Sequence, residues 1–162
     1  GADTAVFELL SEDEYALADM NHLTLSFVDG FSGGHEIEIG GADLGFTPDG
    51  LVMNFALHSL LVGDGAPGSL RLIDEVDNQL DGLLGNEALY VQSLNVGPGS
   101  VLDLNGLTLY YDFASIDPTA TIELNGGQLL PVPEPASGVL VLFAATVAAM
   151  NRRRLMSATF AA

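Results

Sequence analysis

The chain has 162 residues, with 22 acidic side chains, four arginines, no lysine and no cysteine, for a formal charge of −18. An acidic surface of this kind repels phosphate backbones and excludes a nucleic-acid partner. The absence of cysteine excludes disulfides, thiolate catalysis and cysteine-ligated zinc. The length is that of one domain, enough to remove about 70% of the unfolded surface from water.

The charge is divided along the chain. All the acids lie at or before Glu134, where Arg71 is the sole base, so residues 1–135 carry −21 and the remainder carries +3. The chain opens "GADTAVFELL", with no Met, basic n-region or apolar h-region. That opening reads as the start left by a removed leader, or as the distal part of a longer precursor. Within residues 1–21, Val6, Leu9, Leu10 and Leu17 fall near helical spacing, and Ser11 with Glu14 forms a capping-box pattern, which predicts a helix.

From His22 the texture becomes that of strands. "HLTLSFVDG" and "HEIEIGG" alternate apolar and polar residues, "GLVMNFALHSLLVGDG" reads as one long strand or two short ones, and "GSLRLID" and "EALYVQSLNV" continue the pattern. Residues 101–106 ("VLDLNG") and 121–126 ("TIELNG") match position by position at an offset of 20. Such a period suits the coils of a β-solenoid, with Leu102 stacked on Ile122, while the Asn-Gly pairs equally suit type I′ hairpins. Gln128–Pro135, with prolines at 131, 133 and 135, reads as an extended linker. The fold-class expectation is therefore all-β: a short β-solenoid or β-helix-like body over 22–130, or a β-sandwich of hairpins in its place. The Pro-rich stretch 131–135 and one C-terminal apolar helix over 136–150 come next, and then a basic tail over 151–162.

Ala136–Met150 contains no charge. As a helix it would span about 22 Å, short of the roughly 30 Å of a bilayer core. Arg152, Arg153 and Arg154 directly behind it extend such a span by snorkelling and place that end in the cytoplasm, leaving the acidic body outside. Pro133-Glu134-Pro135, an uncharged apolar run and the Arg152–Arg154 cluster together resemble a PEP-CTERM sorting signal in order, spacing and chain position. The resemblance implies export, transient membrane retention through 136–150, and processing near Pro133–Pro135 by an exosortase. One departure is the eight-residue extension "LMSATFAA" after the arginines, longer than such tails usually carry. Residues 87–111, with 68–78, more loosely resemble a segment that recurs before such tails in exported proteins of planctomycete-like bacteria.

Few residues nominate themselves for chemistry. "GDGAPG" (63–68) satisfies G-x-G-x-x-G, but the strand-like "SLRLIDEV" comes after it where a dinucleotide site needs a helix, so it reads as a turn. Asp74, Asp77 and Asp81 supply closely spaced oxygens for a structural Ca²⁺. The EF-hand template fails, since Gln79 and Ala88 stand at its third and twelfth positions counted from Asp77, and a solvated acidic loop is the competing reading. His22, His35 and His58 lack metal-ligand spacing, and "HEIE" is not H-E-x-x-H. Asp103 and Glu123, one repeat apart, would approach each other in stacked coils. With no nucleophile or base constellation, the expectation is a non-enzymatic structural or adhesive protein of the cell envelope or extracellular matrix, with extracellular polysaccharide as a partner class. The alternatives are the C-terminal part of a secreted carbohydrate-active enzyme and an uncleaved tail-anchored surface protein.

Overall fold

Strand β1 (Ala5–Phe7) pairs in parallel with β3 (His35–Glu38), although the local pattern around Val6 predicts a helix. Long-range ladder bonds override a helix signal that rests on the spacing of a few apolar residues. A computed structural model describes residues 5–7 as backbone, together with 20–28, 34–52, 54–76 and 86–133. The capping pair Ser11 and Glu14 lies outside them.

The remaining strands are β2 (Thr24–Phe27), β4 (Leu57–Val62), β5 (Ser69–Ile73), β6 (Ala88–Val96), β7 (Val101–Asp103), β8 (Thr108–Ile116), β9 (Thr121–Glu123) and β10 (Gln128–Pro131). They form two five-stranded sheets, ordered β1-β3-β5-β7-β9 and β10-β8-β6-β4-β2, and every pairing between named strands is parallel. Odd strands enter one sheet and even strands the other, so the chain advances by one coil with each odd-even pair.

Register follows the sequence spacing. Leu102 lies opposite Ile122, Ala88 opposite Thr108 and Thr108 opposite Gln128, each an offset of 20. Earlier coils are longer, with His35 opposite Leu70 and Thr24 opposite Ser59 at offsets of 35. The surplus leaves the coil as excursions, of which 42–54 is described throughout except at residue 53. Its 3-10 turn, Pro48–Leu51, starts on a Thr47 cap and lays Gly50 against Tyr90 so closely that a Cβ there would overlap the ring. The stretch from Gly50 to Gly65 therefore holds a turn and one short strand, not a long strand.

The Asn-Gly pairs make the type I′ turns their sequence favours, with φ of 49° and 87° at Asn105 and Gly106, and 48° and 98° at Asn125 and Gly126. Leu107 N donates to Leu104 O, and Gly127 N to Leu124 O, closing the two turns at 2.8 and 2.7 Å. The strands they join do not pair with one another. Each turn is a corner that hands the chain from one sheet to the other, and the ladder bonds go to the next coil. This overturns the sandwich of hairpins, because a local turn type fixes the change of direction and not the identity of the partner strand.

Fourteen buried side chains, including Ile37, Leu60, Leu72, Leu94, Leu102, Leu104 and Leu109, fill the space between the sheets. Along β4 the inward residues are Leu57, then Leu60 and Val62; along β6 they are Leu89 and Val91, then Leu94 and Val96. The alternation slips by one residue at His58-Ser59 and at Gln92-Ser93, which lie side by side in the ladder. The even-numbered strands therefore carry two faces, divided where His58 and Gln92 share a 2.9 Å hydrogen bond. The outer side of the first face is a second apolar cluster, Ala56, Ala88, Tyr90, Tyr110 and Val132, with Leu51 from the excursion packed against it.

Two further corrections concern the C-terminal side. Gln128–Pro131 is a paired strand instead of a linker, matched residue for residue with Thr108–Tyr111. The fold-class expectation with its terminal helix is also corrected: among the described residues there are strands, turns and a single 3-10 turn, with no α-helix, and 136–150 lie outside them. An uncharged apolar run specifies avoidance of water; it does not specify which backbone conformation achieves it. Among the described residues no helix is long and apolar enough to cross a membrane.

Candidate functional site

Among the described residues, three carboxylates cluster at one end of the β3–β5 pair. Glu38 ends β3, Asp74 follows β5 directly, and Glu87 precedes β6; one oxygen from each lies within 4.8 Å of the others. Strict alternation along "HEIE" sends Ile37 into the core and Glu38 to the outer face, where a strand glutamate would normally meet water. The chain leaving β5 closes over it instead. Glu38 Oε1 accepts from the backbone N–H groups of Glu75 and Val76, each at 2.9 Å. Glu38 is left 1% exposed and Glu87 2%, while Asp74 stays exposed.

Burial pushes the Glu38 carboxyl above its ordinary value; the two backbone donors oppose that shift, and the negative charges of Asp74 and Glu75 add to it. A carboxyl whose pKa is raised on folding favours the native state while protonated. That advantage is lost as pH rises from the unfolded value of about 4.3 through the folded one. Glu38→Gln keeps an acceptor for the two N–H groups and replaces a repelling charge with a donor. We expect the variant to be more stable than the parent at pH 7 by on the order of 1 kcal/mol, the scale of one buried hydrogen bond. The difference should vanish near pH 4, as followed by urea unfolding at both pH values.

All three ligand atoms are hard oxygens, the donor type suited to Ca²⁺ or Mg²⁺. Of the aspartates nominated from sequence, Asp74 belongs to this group, whereas Asp77 and Asp81 lie outside the described residues. Glu38 and Glu87 were not nominated. Their separation in sequence conceals the proximity, which exists because β3 and β5 are laddered and the segment after β5 returns to β6.

A second charged group runs across the outside of the first sheet. Glu36 is opposite Arg71, Arg71 opposite Asp103, and Asp103 opposite Glu123. Arg71 reaches Glu36 at 3.6 Å, Asp103 at 3.5 Å and Asn105 Oδ1 at 2.7 Å. Asp103 Oδ1 also accepts from Asn105 N and Asn125 Nδ2. The Asp103–Glu123 neighbourhood therefore has a structural use: both Asp103 oxygens serve the Asn-Gly corners and the one cation of the acidic body, which leaves Asp103 poorly placed for general acid–base work.

The other nominated residues are dispersed. His22 is exposed in a turn, His35 lies inside the coil against the Phe27 ring at 5.3 Å, and His58 faces Gln92. "GDGAPG" is a corner and not a phosphate cradle, with strand β5 directly after it and φ of +79° and +80° at Gly63 and Gly65. Tyr90 and Tyr110 stack at 4.6 Å. The Tyr110 hydroxyl donates to Asp43 Oδ1, and burial followed by that contact pushes the phenol up to about 12. Tyr90 O–H donates to Gly45 O and accepts from Leu44 N, so both hydroxyls fasten the 42–51 cover to the sheet. Pro133 is the last described residue, and Glu134, Pro135 and Arg152–Arg154 lie beyond it. Set against known protein families, characterised proteins and solved structures, the chain matches none.

Proposed function

We propose that this chain is a non-enzymatic structural or adhesive protein of the cell envelope or extracellular matrix, exported and delivered by a C-terminal sorting tail that an exosortase-type enzyme processes. The observation that supports the reading is where the chain divides. The first of its two compact units runs to Val132, and the division falls before Pro133, the first residue of the Pro-Glu-Pro motif. Cutting near that motif would leave every strand pairing of the coil intact.

The edge itself fits a boundary role. Gln128 N donates to Leu107 O and Val132 N to Tyr111 O, so the even-numbered N–H groups of β10 point into the stack. Pro131 occupies the opposite alternation, where its missing N–H costs no ladder bond and removes a donor from the open edge. Such prolines blunt an edge against further strand addition.

Mass spectrometry of the protein recovered from outside cells of an exosortase-bearing host tests the proposal. The expected product ends close to Pro133–Pro135 and lacks Arg152–Arg154. An exported product that still ends in "NRRRLMSATFAA" overturns the processing step. Replacing Arg152, Arg153 and Arg154 together by Ala is expected to abolish the processed form, since the positive end that orients the apolar segment is gone.

A further inference from the structure

The second face of the even-numbered strands differs chemically from the rest of the molecule. It is built by Thr24–Phe27, Ser59–Val62, Ser93–Val96 and Phe113–Ile116, laddered in that order. These four segments contain no Asp, Glu, Lys or Arg, in a chain whose net charge is −18. Their inner sides carry Leu25, Leu60 and Leu94 into the core. Their outer sides line up as Thr24–Ser59–Ser93–Phe113 and, in the neighbouring rank, Ser26–Leu61–Asn95–Ser115.

Thr24, Asn95 and Ser115 are exposed, and Phe113 is 70% exposed with its ring outward. The first face of the same strands is covered by the 42–51 excursion, whereas no described residue is seen to cover this one. Parallel ladders repeat side chains about 4.8 Å apart within a rank and about 6.6 Å between ranks. The result is an uncharged lattice of hydroxyl and amide groups, interrupted by Leu61, with one aromatic platform.

We propose that this face binds an extended neutral polysaccharide. The assignment rests on the envelope or matrix reading above and names the partner class within it. Charge selects the occupant. An acidic polymer or a second copy of this chain would bring negative charge against a strongly negative body, whereas a neutral glycan meets no such repulsion. The chemistry matches as well. A glycan offers hydroxyls that exchange donors and acceptors with Ser, Thr and Asn, and apolar C–H faces that stack on the ring of Phe113.

The test is retention of the purified full chain, in detergent, on insoluble cellulose, with alginate as the acidic counter-probe. Binding to cellulose should persist in 1 M NaCl, because no ion pair contributes, and alginate should not compete. Phe113→Ala should weaken retention about tenfold without lowering the melting temperature. Asn95→Asp, nearly isosteric, loses the amide donor and should weaken it to the same extent at low and high salt. Absence of retention on cellulose, or retention unchanged in Phe113→Ala, overturns the assignment. Mass analysis of the tail in exported material separates the two readings: a processed chain that ignores cellulose sinks only this one, and an unprocessed chain that binds cellulose sinks only the sorting step.

Discussion

Gly63→Ala is expected to destabilise the protein by about 3 kcal/mol, and Gly65→Ala, two residues away, by only about 1. Both glycines sit at positive φ, +79° and +80°, so each substitution incurs the left-handed backbone strain of a side-chain-bearing residue. Their surroundings differ. A Cβ on Gly65 meets nothing within 4 Å, whereas one on Gly63 would overlap Ser100 Oγ and sit 2.9 Å from both Ala66 O and Gly68 N. Two of those three atoms are backbone and cannot swing aside. Ser100 is itself fully buried, with its Oγ accepting from Gly68 N at 3.0 Å, so its escape breaks a buried hydrogen bond.

Overpacking therefore adds to strain at Gly63 alone. Thermal unfolding should show Gly63→Ala melting roughly 6–12 °C below the parent, with Gly65→Ala within about 2–4 °C of it. Equal shifts in the two variants would mean that the corner is not packed as described. The same geometry gives the glycines of this G-x-G-x-x-G stretch a structural use: Gly63 and Gly68 lie against neighbouring backbone, whereas Gly65 serves only its positive φ.

Leu102→Ala should cost about 3 kcal/mol, and Ile122→Ala, at the matching position one coil later, about 1. Leu102 is fully buried between Leu70 and Ile122 in the ladder, so truncation opens a cavity roofed and floored by neighbouring coils. Ile122 has Leu102 on one side, belongs to the last strand of its sheet, and is only partly buried. In a stack of this kind each coil is stabilised chiefly by its immediate neighbours, so a terminal loss stays local. Amide hydrogen exchange distinguishes the two cases. Leu102→Ala should lower protection in β5, β7 and β9 together, and Ile122→Ala in β9 alone. Uniform loss of protection from Ile122→Ala would contradict a nearest-neighbour stack.

How much of this was legible in the sequence depends on the range of the interaction involved. The 20-residue spacing of "VLDLNG" and "TIELNG" carries the register of the last coils, because identical steps between corners bring like residues opposite one another. The turn preference of Asn-Gly was equally legible, since positive φ at two successive residues is a local steric property. The strand at Ala5–Phe7 was not, because a three-residue segment is stabilised by its pairing with His35–Ile37 and not by its own pattern. Nor was the carboxylate cluster. Glu38 looks like a solvent-facing strand residue until the segment after β5 folds over it.

The sequence by itself determined the acidic charge, the alternation of strands and corners, the uncharged composition of four strand segments, and the division between an acidic body and a basic C-terminal tail. These are set by composition and by contacts spanning a few residues. Only the tertiary structure decided that Asn-Gly corners join strands of different sheets, that Tyr90 and Tyr110 are covered by the 42–51 excursion, and that four uncharged segments become one face. It also decided which carboxylates meet, since Glu38, Asp74 and Glu87 are brought together from three segments. The physical reason is common to all of these. In a coil of parallel strands every ladder partner is a full coil distant in sequence, so the neighbours that give a side chain its environment are absent from its local pattern.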